Sequence, residues 1–98
     1  FDLPTKTKKQ RKRYTWFHQE LDKEGYSMLQ YSVYSKVFSS WESAHLGKQR
    51  IKEFINQNIK NGNIRILMLT DKQFSSMDII IGEPSKEEEL GFKQLLLF

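Results

Sequence analysis

The sequence predicts an α+β fold in which two helices cover one face of an antiparallel sheet. Three observations predict it. Apolar residues recur at helical spacing twice, in Tyr14, Phe17 and Leu21 and again in Ala44, Ile51, Phe54, Ile55 and Ile59. Between them, residues 26–38 are rich in aromatic and β-branched side chains that alternate along the chain, as a half-buried strand requires. After the second helix, residues 64–70 and 77–81 are apolar runs of strand length.

The first helix is capped by Thr5 or Thr7, runs to about residue 24, and stops at Gly25. Its second half packs, and its first half is cationic. That is the wrong sign for a helix N-terminus, where each positive side chain costs about 0.3 to 1 kcal/mol against the macrodipole. Residues 26–38 are too long for one flat strand and should bend or split near Ser32. Ser39 and Glu42 form a capping-box pattern for the second helix, which ends at Asn61-Gly62 and is weakened early by Gly47. Residues 64–70, interrupted only by Arg65, and residues 77–81 both suit central sheet positions, joined by a short polar connection at 71–76.

Residues 82–89 hold Gly, Pro and four acids and read as a linker or exposed arm. The apolar tail Leu95-Leu96-Leu97-Phe98 should add as a strand to a sheet edge, its own or a neighbour's, and the neighbour's is preferred. With a first strand lying mostly upstream of Phe1, the order is βαββαβ, a ferredoxin-like α+β fold with two helices on one face of an antiparallel sheet. The division expected is a domain at 1–81, followed by an acidic linker and exchanged strand at 82–98.

Composition narrows the function classes. A chain of 98 residues makes one domain, and the absence of cysteine removes disulfides, thiol nucleophiles and thiolate metal sites together. No apolar run reaches transmembrane length, so a soluble, cytoplasmic protein with no membrane partner is expected. Residues 1–81 carry 14 basic and 8 acidic side chains, whereas residues 82–98 carry 2 and 4. A polyanion is the class of partner this distribution favours.

Two features carry the chemistry. Asp2 stands directly ahead of a block in which Lys6, Lys8, Lys9, Arg11, Lys12 and Arg13 fill six of eight positions. A turn Asp beside Leu3-Pro4 is the plain interpretation of Asp2. A metal role needs more, because Mg²⁺ or Mn²⁺ takes octahedral oxygen ligands from one or two carboxylates and water. A twofold dimer would supply the second Asp2, making one site from two subunits. The basic block can be a solvated helix face, but its unfavourable place at a helix start favours phosphate binding, with Arg11 and Arg13 able to fork onto phosphate oxygens. Arg50, Lys52, Lys60 and Arg65 could extend the patch.

Other candidates are weaker. Tyr26, Tyr31, Tyr34 and Phe38 could stack on bases, though core filling and dimer contact explain them more simply. The basic-aromatic signature of an RNA-recognition motif is missing from residues 63–68. His18 and His45 lack metal-ligand spacing, Ser32 and Ser35 lack an activating base, and no glycine loop cradles a phosphate.

Phe1-Asp2-Leu3-Pro4, the basic stretch to Tyr14, Gly25-Tyr26, Leu29-Gln30-Tyr31-Ser32-Val33-Tyr34, and Leu69-Thr70-Asp71-Lys72-Gln73-Phe74 with Met77 appear in a specific order. Together they resemble CRISPR-associated protein two, the endoribonuclease-type partner of the CRISPR integrase, in the version found beside type II systems. The resemblance implies a ferredoxin-like homodimer whose C-terminal strand pairs with the partner's sheet. It implies that Asp2 is the metal-binding and catalytic aspartate, with one Mg²⁺ shared across the dimer axis. Ser32 falls in the family's Gln-x-Ser-Val-aromatic segment, where Tyr34 replaces the commoner Phe, and both are accessory candidates. Two functions follow: a Mg-dependent endonuclease acting on RNA or DNA, or a scaffold that grips duplex DNA while the integrase cuts and joins during spacer acquisition. The scaffold is favoured, because one acid per chain without a general base makes a poor nuclease. A toxin-like ribonuclease on the same fold is the third alternative.

Overall fold

Thr7 opens helix α1 (Lys8–Lys23) with a reciprocal capping box: its hydroxyl accepts from the Gln10 backbone N–H, and the Gln10 side-chain oxygen accepts from the Thr7 N–H. The box compensates a first turn that holds no acid. Gly25, at φ 89°, ends the helix in a left-handed conformation that its missing Cβ permits. The computed structural model describes residues 1–82 and the strand Gln94–Leu97. The expected acidic linker otherwise lies outside the described residues.

The long aromatic stretch splits, as expected, at Ser32. Strands β1 (Ser27–Gln30) and β2 (Val33–Phe38) form an antiparallel hairpin whose turn, Tyr31-Ser32, places Ser32 at φ 61°. Few non-glycine residues adopt that conformation, and Ser is small enough to tolerate it. Helix α2 (Trp41–Asn58) follows, capped by Ser40 through the Ser43 N–H rather than by Ser39 with Glu42. A one-residue shift leaves the predicted stripe intact, since Ala44 and Ile51 are buried and Phe54, Ile55 and Ile59 are partly so.

Gly47 has a use that helix propensity hides. A Cβ there would lie 2.5 Å from the Phe38 ring, so the glycine lets that ring pack directly on the helix backbone. Residues 64–66 stay irregular, and strand β3 covers only Leu67–Thr70. The polar connection is itself a short helix, α3 (Asp71–Ser75), which Thr70 and Gln73 cap reciprocally.

The four-stranded sheet, completed by β4 (Gln94–Leu97), has the order β1-β2-β4-β3. Strands β2 and β3, joined through α2, leave a gap one strand wide, and β4 fills it antiparallel to both. This is the split βαβ layout of a ferredoxin-like fold. Residues 94–97 of the apolar tail thus pair within their own chain in this structure. Both facing edges of the gap offer unpaired backbone groups, and intramolecular closure costs only loop entropy.

Residues 77–81, expected as a central strand, form none. The chain leaves α3 irregular, and Met77, Ile79, Ile80 and Ile81 are exposed, the last two at 87% and 94%. Strand β3 is followed immediately by α3, β4 rather than this run holds the inner place beside β3, and the run does not pair with the outer edge that β3 presents at the end of the sheet.

Leu3, Phe17, Leu21, Tyr26, Tyr34 and Ile51 form the buried cluster. Both helices share it with Tyr34 of β2, which puts them on one face of the sheet. Trp16 and Phe17 of α1 stack against Phe54 of α2 at 5.3 and 6.5 Å between centroids. The expected first strand is represented by one antiparallel bridge, Asp2 to Asn63.

Candidate nucleic-acid interface

Leu3 is buried in the core, so the residues on either side of it are held at a fixed place. Asp2 is exposed, and its backbone exchanges two hydrogen bonds of 2.7 Å with Asn63. Gly62, at φ 118°, allows that approach, since a Cβ there would sit 2.7 Å from the Asp2 carbonyl oxygen. The carboxylate makes no hydrogen bond or ion pair among the described residues, so both its oxygens are available to a hard cation. No group of three or more His, Asp or Glu side chains among the described residues could hold a metal ion. One chain therefore offers a single carboxylate, which fits half of a shared Mg²⁺ site.

The hairpin turn lies beside Asp2. The Tyr14 hydroxyl is 3.3 Å from the Ser32 Oγ, and the Tyr14 and Tyr31 rings stack at 6.2 Å. A hydrogen bond with Tyr14 holds the exposed Tyr31 phenol above its ordinary pKa, and the nearby Asp2 charge adds to the effect. Sequence reasoning named Ser32 but passed over Tyr14 and treated Tyr31 only as one aromatic among several. The signal for both was the Tyr14-to-hairpin packing, which lies outside any local pattern.

Tyr34 is elsewhere. It is fully buried beneath the sheet, its hydroxyl hydrogen-bonded to the His18 ring, with Nε2 at 2.9 Å. Burial, with lesser contributions from Asp22 and Tyr14, pushes its phenol up to about 12. Tyr34 is a core residue, which corrects its assignment as an accessory site residue. His18, half-buried on α1, is its partner rather than a surface group. Tyr26 is likewise buried, and burial pushes its phenol up to about 12.

All six cations of the basic block are exposed, and none forms an ion pair among the described residues. Arg11 donates to the Thr5 and Lys6 carbonyls at 3.3 and 2.9 Å, which ties the segment after Asp2 to the helix. The Arg13 guanidinium lies over the Trp16 ring at 5.3 Å. Four residues separate Asp2 from the cap at Thr7, so the acid and the cations share one end of the fold. Arg50, by contrast, is engaged with Glu24 at 3.1 Å and is not a free extension of the patch.

Comparison with known proteins agrees with the expected resemblance. The family model described as CRISPR associated protein Cas2 matches residues 1–77. The CRISPR-associated endoribonuclease Cas2 of Flavobacterium psychrophilum is 38% identical over 98 residues, covering all of this chain and 83% of its own length. That of Acidovorax ebreus is 35% identical over 99 residues, covering all of this chain and 94% of its own length. That of Streptococcus mutans strain NN2025 is 42% identical over 83 residues, which is 85% of this chain and 75% of the relative. No solved structure matches the chain. No helix among the described residues is long and apolar enough to cross a membrane. With the family match spanning most of the chain and relatives aligned along its length, the protein belongs to the CRISPR-associated Cas2 family.

Proposed function

We propose that the chain acts in CRISPR adaptation as a homodimer that grips the backbone of duplex DNA beside the integrase, and that it retains a metal-dependent phosphodiesterase capacity. The observation that carries the reading is the run of six exposed cations, without acidic partners among the described residues, at the end of the fold that holds Asp2. Cations held at a helix start against the macrodipole are relieved when phosphates neutralise them. Backbone contact of this kind positions a nucleic acid without reading its sequence. The same surface would accept RNA, in keeping with the endoribonuclease name its relatives carry.

In such a dimer the two Asp2 carboxylates, one from each subunit, would be the residues to hold a shared Mg²⁺ or Mn²⁺. When bound, that ion supplies Lewis-acid polarisation of a phosphoryl oxygen and a water of lowered pKa. The chain's own part is positional. Leu3 burial and the Asn63 pair fix the Asp2 backbone, and Arg11 fixes the segment leading to the cations. The exposed apolar side chains at residues 77–81 are of the kind a second copy of the chain would cover.

Asp2→Ala tests the balance between scaffold and nuclease. Spacer acquisition should survive while metal-dependent cleavage of RNA and DNA is lost. Loss of acquisition in a variant that remains a folded dimer would make catalysis the biological role instead.

A further inference from the structure

We propose that the cleft between the first turns of α1 and the loop at residues 58–61 is a phosphate-binding subsite that takes a backbone phosphate of the nucleic acid passing Asp2; this rests on the nucleic-acid reading above. The cleft has a volume of about 330 Å³, and three cations from two different elements, Lys9, Arg13 and Lys60, line it. The amides of Asn58 and Asn61 complete the far wall, and no acidic side chain among the described residues contributes. An oxyanion entering it meets positive charge and N–H donors on both sides.

The local hydrogen bonding prepares the cleft for an anion. The Gln10 side-chain oxygen is consumed by the Lys6 and Thr7 N–H groups at 3.0 Å each, which leaves its NH₂ as the group free to donate. The far wall is the C-terminal end of α2, where exposed carbonyls would repel an anion. Three of the carbonyls near that end carry a donor: Ile59 N–H donates to Ile55, Asn58 Nδ2 to Phe54 and Lys60 Nζ to Asn56, at 2.8 to 2.9 Å. Lys60 thereby holds a positive charge over the negative helix end and keeps two further protons for a ligand.

The position of the cleft relative to Asp2 follows from chain connectivity. One wall begins at Thr7, five residues beyond Asp2, and the other ends at Asn61, two residues before Asn63. Asp2 and Asn63 are bonded to each other through their backbones, so the chain segments that form the two walls both lead to that pair. Of residues 58–61 the sequence singled out only Lys60, as one of four cations that could extend the patch; no charge run or motif marks the two asparagines.

The test follows the side-chain amide resonances of Gln10, Asn58 and Asn61 in the full chain during titration with a short DNA duplex and, separately, with inorganic phosphate at constant ionic strength. The duplex should move all three, and should do so at far lower concentration than phosphate. Lys60→Gln, which keeps a donor for the Asn56 carbonyl but removes the charge, should reduce the slope of log affinity against log salt by about 0.9; adding Arg13→Ala should double the reduction. Lys72→Ala on α3 should leave the slope unchanged. If the duplex binds but the amides stay fixed and Lys60→Gln keeps the wild-type slope, the cleft is not a subsite, while the wider nucleic-acid reading stands. If phosphate moves the amides and the duplex does not bind, the cleft serves a free phosphate-class anion and the nucleic-acid reading falls. If neither titrant moves them, the proposal is overturned.

Discussion

Asp2 and Asn63 each donate a backbone hydrogen bond to the other's carbonyl oxygen, both at 2.7 Å. This one pair joins the start of the chain to the segment entering β3 and fixes the backbone of the carboxylate on which metal chemistry would depend. Gly62 makes it possible. At φ 118°, with the Asp2 carbonyl oxygen 2.7 Å from where a Cβ would sit, the position disfavours any larger residue. Gly62→Ala should destabilise the fold by about 1 to 3 kcal/mol, read as a lowered denaturant midpoint with unchanged m. It should also weaken any metal-dependent cleavage by displacing Asp2. A variant as stable as the wild type would show that the strain is absorbed elsewhere.

Gly47→Ala opposes two effects of different size. Alanine in a helix interior gains about 1 kcal/mol over glycine. Its Cβ, however, would press on the Phe38 ring at 2.5 Å, and overpacking of this kind costs about 1 to 3 kcal/mol. Net destabilisation is expected in thermal unfolding, and Phe38→Leu in the same chain should recover part of it. A simple gain in stability from Gly47→Ala would mean that the ring moves aside freely.

Two of the four tyrosines should make the fold sensitive to alkali. Tyr26 and Tyr34 ionise near 12 in the folded chain, against 10.0 when unperturbed, because burial disfavours the phenolate. Above pH 10 the folded state therefore holds more protons than the unfolded one, so stability falls as pH rises. The contribution is intact below pH 10 and is lost as pH rises through about 12. Denaturant midpoints across this range should decline, and Tyr34→Phe should shallow the decline. Midpoints that do not depend on pH would contradict the burial of both phenols.

Lys8 and Lys12 test the basic surface without touching the cleft. Both are exposed and carry no hydrogen bond or ion pair among the described residues, so replacing them with alanine should leave stability within about 0.5 kcal/mol. Removal of the two positive charges near the helix start acts in the same favourable direction. Duplex affinity should fall uniformly across sequences, with the salt slope reduced by about 0.9 for each lysine that contacts a phosphate. An unchanged slope for the double variant would remove the block from the interface.

Several elements could be read directly from the chain. Thr7 and Gly25 bound α1 because capping and left-handed backbone are local requirements. The break at Ser32 followed from a strand too long to remain flat, and the core stripe of α2 from helical spacing. The site was legible to the extent that its residues adjoin in sequence, which is true of Asp2 and the basic block. For Tyr34 the sequence favoured core filling yet kept an accessory role, because an aromatic on a strand looks the same whether it faces a ligand or a core; its burial depends on Phe17 and Leu21 arriving from α1. Residues 77–81 have the composition of a central strand, yet β4 holds the inner place beside β3 and the run leaves the outer edge of β3 unused, a choice made between segments distant in sequence.

Local physics alone therefore decided the two long helices, the hairpin, the charge asymmetry and the juxtaposition of one acid with six cations. Their energies arise within a few residues of chain, where side-chain type and spacing are sufficient. Tertiary structure decided which strand fills the gap between β2 and β3, that Asn63 holds Asp2, and that Lys60 and Asn61 face Lys9 and Arg13 across a cleft. These depend on pairing between segments tens of residues apart, where many partners satisfy the same hydrogen-bonding pattern and only the packed whole selects one.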